Sequence, residues 1–63
     1  MAFLAVDKNE TEFIYDGKPF RKYDDEWGID NSDANYVQLP KGSIAKLIGR
    51  ELTWSDEPYE LKD

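Results

Sequence analysis

Leu39–Trp54, LPKGSIAKLIGRELTW, is the only stretch of the 63 residues in which helix punctuation and apolar spacing agree. Pro40, Lys41 and Gly42 turn the chain, and Ser43 then stands where a helix N-cap belongs, its hydroxyl placed to accept an orphan backbone N–H. Ile44, Leu47 and Ile48 fall at i, i+3 and i+4, which is one face of a helix. Gly49 occupies the position of a left-handed C-cap, and Arg50 follows near the negative end of the helix dipole. The spacing predicts a helix over about 43–48, under two turns and too short to persist in water unaided. Its apolar face must be covered by the rest of the chain, and the rest reads as strands.

Phe3–Val6 is a short apolar run of the kind a buried strand requires, and Asp7-Lys8-Asn9-Glu10 carries turn chemistry. Thr11–Tyr15 is rich in β-formers, and Asp16-Gly17 is a short-range hairpin signal. Lys18–Tyr23 is the expected return strand, at an edge or pairing only after Pro19, which has no N–H for a ladder. Asp24–Asn35, DDEWGIDNSDAN, holds five acids and no base and reads as a loop with Trp27 and Ile29 as its large apolar groups. Tyr36–Leu39 is a further strand feeding the helix. Past Gly49, Thr53 and Asp56 have a capping-box spacing, and Tyr59–Leu61 reads as a short closing strand.

These elements make one small α+β domain over residues 1–63: an antiparallel meander of three to four short strands, one short helix and a C-terminal return. An SH3-like small barrel is the alternative. The expected core is Phe3, Ala5, Phe13, Tyr15, Phe20, Val37, Leu39, Ile44, Leu47, Ile48, Leu52 and Trp54, with Trp54 under the helix. A chain of this size buries only about 60% of its unfolded surface, and this one has no Cys for disulfides and neither His nor Cys for a zinc site. Three phenylalanines, two tryptophans and four tyrosines supply the burial instead.

Charge narrows the function. Fourteen acids against eight bases leave −6, which argues against direct binding to nucleic acid or anionic membrane and favours a basic protein partner. The acids and bases alternate in blocks: residues 1–16 sum to −3, 17–23 to +3, 24–35 to −5, 36–50 to +3 and 51–63 to −4. The N-terminus, MAFLAVD, lacks the basic region of a signal peptide, no apolar run approaches a bilayer span, and the lack of cysteine fits the cytoplasm. Without His or Cys, the commonest general base and the strongest nucleophile are missing, which argues against an enzyme. No cofactor is implied.

Two ligand motifs have plainer explanations. Asp30, Asn31, Ser32, Asp33 and Asn35 cluster hard oxygen ligands, but their spacing does not follow a calcium loop and a turn of Asx groups accounts for them. Lys41, Gly42 and Ser43 at a helix N-terminus, with Arg50, resemble a phosphate or nucleotide site, although the P-loop pattern is incomplete and turn-plus-cap explains the same residues.

The expected function is therefore a protein-binding module, a small regulator or inhibitor. A Met-initiated acidic chain of this length suits a bacterial or phage accessory protein that presents carboxylates to a basic or nucleic-acid-binding partner. Asp24, Asp25, Glu26, Asp30 and Asp33 would supply steering, and Trp27 the anchor, unless Trp27 instead pins the loop to the core. The alternatives are a structural or virion assembly subunit, forming homo-oligomers through strand edges, and an anion-binding domain.

Overall fold

The computed structural model describes residues 2–21, 24–29 and 35–61. The chain is a small α+β domain. Strands β1 (Ala2–Val6), β2 (Glu12–Tyr15), β3 (Phe20–Arg21), β4 (Trp27–Gly28) and β5 (Tyr36–Leu39) precede helix α1 (Ser43–Ile48), and β6 (Tyr59–Leu61) closes it. Four strands form one antiparallel sheet in the order β5-β2-β1-β6, and β3 and β4 form a separate two-stranded ribbon. Among the described residues the sheet is open, ending at β5 and β6, and the small-barrel alternative is not adopted.

The hairpin of β1 and β2 forms where turn chemistry placed it. Asp7 N–H donates to Thr11 O at 2.9 Å, and the Asn9 side chain accepts Thr11 N–H at 3.1 Å. Glu10 takes the left-handed conformation, at φ 71°. The expected continuation into Lys18–Tyr23 does not occur. The place beside β2 belongs to β5, in the register Tyr15 with Tyr36 and Ile14 with Val37. Asp16 closes the neck of the intervening excursion: its N–H donates to Asn35 O at 3.0 Å, and its carboxylate accepts Asn35 N–H at 2.7 Å. The Asp-Gly pair therefore ends a strand without making a two-strand turn. Pairing in the ribbon begins after Pro19, as its missing N–H requires.

Alternation along the strands gives the sheet two apolar faces, and both are covered. Leu4 and Val6 pack with Ile44 of α1 and with Leu52, joined by Ile14, Leu39, Ile48 and Leu61. Ala5 and Tyr15 face the opposite way and pack with Trp27, joined by Phe3, Phe13, Ile29 and Trp54. A strand covered on both faces reads as a continuous apolar run, which is why Leu4 and Val6, outside the expected core, are among its most buried residues. Phe20, Val37 and Leu47, expected inside, are exposed. The short helix turns only Ile44 and Ile48 towards the sheet, and β5 lies at its edge. Trp54 packs against Trp27 on the face away from the helix, not under it.

The helix is held by a residue from another element. Gly42, at φ 94°, is its N-cap and has no side chain to cap with, while the Ser43 hydroxyl donates backwards to Pro40 O at 2.6 Å. Glu12 of β2 does the capping: its carboxylate accepts Gly42 N–H at 2.7 Å and Ile44 N–H at 2.9 Å. Gly49, at φ 80°, closes the other end through its N–H to Ala45 O. The Thr53–Asp56 spacing makes its expected contact, Asp56 Oδ2 accepting Thr53 N–H at 2.8 Å, but within a turn and not a helix. Because charge-assisted hydrogen bonds contribute about 1.5–3 kcal/mol each and are coupled here, Glu12→Ala is expected to destabilise the domain by about 2–3 kcal/mol, and Glu12→Gln by about half that. Urea midpoints measure both, and equal midpoints for Glu12→Ala and parent would refute the long-range cap.

Candidate protein-binding surface beside the first hairpin turn

Trp27 lies in the acidic segment because it is a core residue that the segment delivers. It is 6% exposed. Its indole Nε1–H donates to Val6 O at 2.9 Å, and its backbone N–H donates to the Asp7 carboxylate at 3.1 Å. Its ring meets that of Trp54 edge-on, with centroids 5.6 Å apart and planes at 65°. The Arg21 guanidinium caps the pair, 4.3 Å from the Trp27 centroid and 4.4 Å from that of Trp54. Of the two roles open to Trp27, the structure selects the pin. A side chain so enclosed is not presented to a partner, and the anchor role is corrected accordingly. Replacing it would remove core contacts on the order of 3–5 kcal/mol, so Trp27→Ala is a folding variant and not a probe of binding.

The pin fixes what precedes it. Asp24, Asp25 and Glu26 are all exposed, and Asp25 O accepts Lys8 N–H from the β1–β2 turn at 3.2 Å. Three successive acids thus lie against the first hairpin turn, on backbone tied at two consecutive points. Asp30 and Asp33 lie outside the described residues, as do Asn31 and Ser32 of the calcium reading. Among the described residues, no group of three or more carboxylates gathers as metal ligands do.

The four residues of the anion reading are not brought together. The N–H groups of Gly42 and Ile44 already hold the Glu12 carboxylate, an internal anion in the position a phosphate would need. Lys41 reaches Glu10 at 4.0 Å, Ser43 bonds Pro40 O, and Arg50 lies past the opposite end of α1, 5.8 Å from the Tyr59 ring. No phosphate site is built there.

Two buried titratable groups lie beside Trp27, of which Tyr15 was expected in the core and Asp7 was not. Asp7 looked like an ordinary turn residue, yet it is buried, and burial raises its pKa above 3.8; the bond from Trp27 N–H opposes the shift and the charge of Asp25 adds to it. Tyr15 is buried in the sheet, and burial pushes its hydroxyl above the usual phenol range, with the charges of Asp7, Tyr36 and Glu26 contributing. An apolar run ending directly in an acid was the available signal for Asp7.

Comparison with protein-family models, curated proteins and solved structures finds no match. No helix among the described residues is long and apolar enough to cross a membrane.

The Asp7 carboxylate has a definite sign in stability. An acid whose pKa is raised by folding binds its proton more tightly in the folded state, so it withdraws stability as pH rises through the folded pKa. Its penalty is absent below 3.8, the unfolded value, and grows as pH rises from there through the folded pKa. Asp7→Asn keeps an oxygen to accept Trp27 N–H and is expected to raise the urea midpoint at neutral pH. The gain should shrink as pH falls through the folded pKa and vanish below 3.8. A gain independent of pH would contradict this assignment.

Proposed function

We propose that this chain is a small acidic protein-binding module of the cytoplasm, a regulator or inhibitor whose partner carries a basic surface. The observation that supports the reading most is the Asp24-Asp25-Glu26 triplet, exposed on backbone that Trp27 and Lys8 hold to the hairpin turn. Charge displayed on ordered backbone steers a basic partner without a further ordering cost on binding. With Trp27 inside, the acids supply steering and register, and adhesion must come from neighbouring surface.

A second reading, assembly through strand edges, draws on β5. Among the described residues it is an edge strand with Tyr36 59% and Val37 61% exposed, and YVQL contains no charged residue to discourage pairing. Sedimentation velocity separates the two, since self-assembly requires a mass that grows with concentration.

The binding reading is tested by capturing the partner from nuclease-treated source cells and measuring rates with the purified pair. Neutralising the triplet (Asp24→Asn, Asp25→Asn and Glu26→Gln together) should lower the association rate about ten-fold at low salt and flatten its salt dependence, with dissociation little changed. Unchanged association would remove the triplet from the interface and the reading with it.

A further inference from the structure

Two backbone bonds fix which way every strand of the sheet turns its polar groups. Asp16 N–H donates to Asn35 O at 3.0 Å, and Asp7 N–H donates to Thr11 O at 2.9 Å. Hydrogen-bonded pairs alternate along an antiparallel ladder, and the two bonds demand the same alternation across β2. Val37 and Leu39 therefore turn their backbone groups towards β2, while Tyr36 and Gln38 turn theirs outward. On β6, Tyr59 and Leu61 face β1, which leaves Glu60 outward with Pro58 at the outward position before it.

The two edges are thus built differently. β6 is blunted, because one outward position lacks an N–H and the other carries a charge, and both discourage a further strand. β5 has neither device. Among the described residues nothing bonds the outward groups of Tyr36 and Gln38. The next outward position is Pro40, which has no N–H and whose carbonyl accepts Ser43 N–H, so the open row ends there. One antiparallel register matches this row completely with the same row on a second copy. Tyr36 lies against Gln38, Gln38 against Tyr36, and Val37 faces Val37 on a two-fold axis. A slip of two residues either way sets one member of the row against a position outside it.

The side chains agree with that register. Val37, 61% exposed, is covered by its own counterpart. Tyr36, 59% exposed, extends the rings of Phe13 and Tyr15, at 5.8 and 5.7 Å between centroids, to the boundary between the copies. Charge is complementary as well. Antiparallel pairing sets the end of β5 that runs into exposed Lys41 beside the opposite end of the other β5, where exposed Asp16 holds Asn35. Opposite charges therefore approach at both ends of the uncharged YVQL strands, although each copy carries −6 overall.

We propose that two copies of this chain pair through β5 about a two-fold axis at Val37, joining their four-stranded sheets into one. The inference rests on the strand-edge reading and gives it a closed form: pairing consumes the open edge, the blunted β6 is left outermost, and growth stops at two.

Sedimentation equilibrium of the full chain from about 20 µM to about 1 mM should show the mass of one copy rising to that of two and no further, with a dissociation constant on the order of 0.1 mM. In an equal mixture of carbon-13-labelled and unlabelled copies, isotope-filtered NOE spectra should connect Val37 Hα of one copy to Val37 Hα of the other, since Cα atoms in a non-hydrogen-bonded pair lie about 4.5 Å apart. Gln38→Pro removes an outward N–H without touching the bonds to β2, and Val37→Lys sets like charges on the axis. Each should weaken pairing at least about ten-fold while the spectrum stays dispersed. A single-copy mass at the highest concentration would overturn the pairing and the strand-edge reading together. A mass that climbs past two copies, or a two-copy mass with no Val37 contact and no response to Gln38→Pro, would overturn the pairing alone.

Discussion

The carboxylates of Asp7, Glu12 and Asp16 each accept a backbone N–H from a segment 19 to 32 residues away. All three belong to the first hairpin or its immediate ends. Asp7 receives Trp27 and so holds the ribbon to one face of the sheet; Glu12 receives Gly42 and Ile44 and so starts the helix on the other. Asp16 receives Asn35 and returns the chain into β5. A domain of this size with no disulfide must order its second half on its first, and charge-assisted bonds to otherwise orphaned N–H groups do so with direction as well as energy.

That arrangement changes what the acidic composition means. Part of the excess is internal, since Asp7, Glu12, Asp16 and Asp56 all serve backbone groups. The exposed triplet before Trp27 belongs to a different population, with no hydrogen bond to its side chains among the described residues. Asp7 stands between the two populations. It organises the ribbon with one oxygen, yet it stays buried with a raised pKa, an unfavourable feature that apolar packing could have avoided.

What could be read from the sequence was local. The bounds of α1, the Gly49 cap, the first hairpin and the closing strand each follow from spacing and turn chemistry within a few residues. What escaped was set at long range. Nothing near Glu12 announces that it caps a helix thirty residues on, and nothing in YVQL says that it displaces Lys18–Tyr23 from the edge of β2. Ser43 offered a hydroxyl in the right place, but the stronger, charged acceptor from β2 was already there. Trp27 was misleading for a related reason: its acidic neighbours describe the surface it leaves, and its own environment is supplied by Val6, Asp7, Arg21 and Trp54. Of the candidate site, the triplet was legible as charge, whereas its fixation to the turn depends on contacts between residues about twenty apart.

The central claim is that the acidic triplet is held in place before any partner arrives. Backbone nitrogen-15 relaxation of the free chain tests it most directly. Order parameters of about 0.8 or more at Asp24, Asp25 and Glu26, matching β1, are the expected result. Values below about 0.6 at those three residues, with β1 rigid, would mean a free loop whose charge is not presented in any fixed arrangement, and would contradict the account.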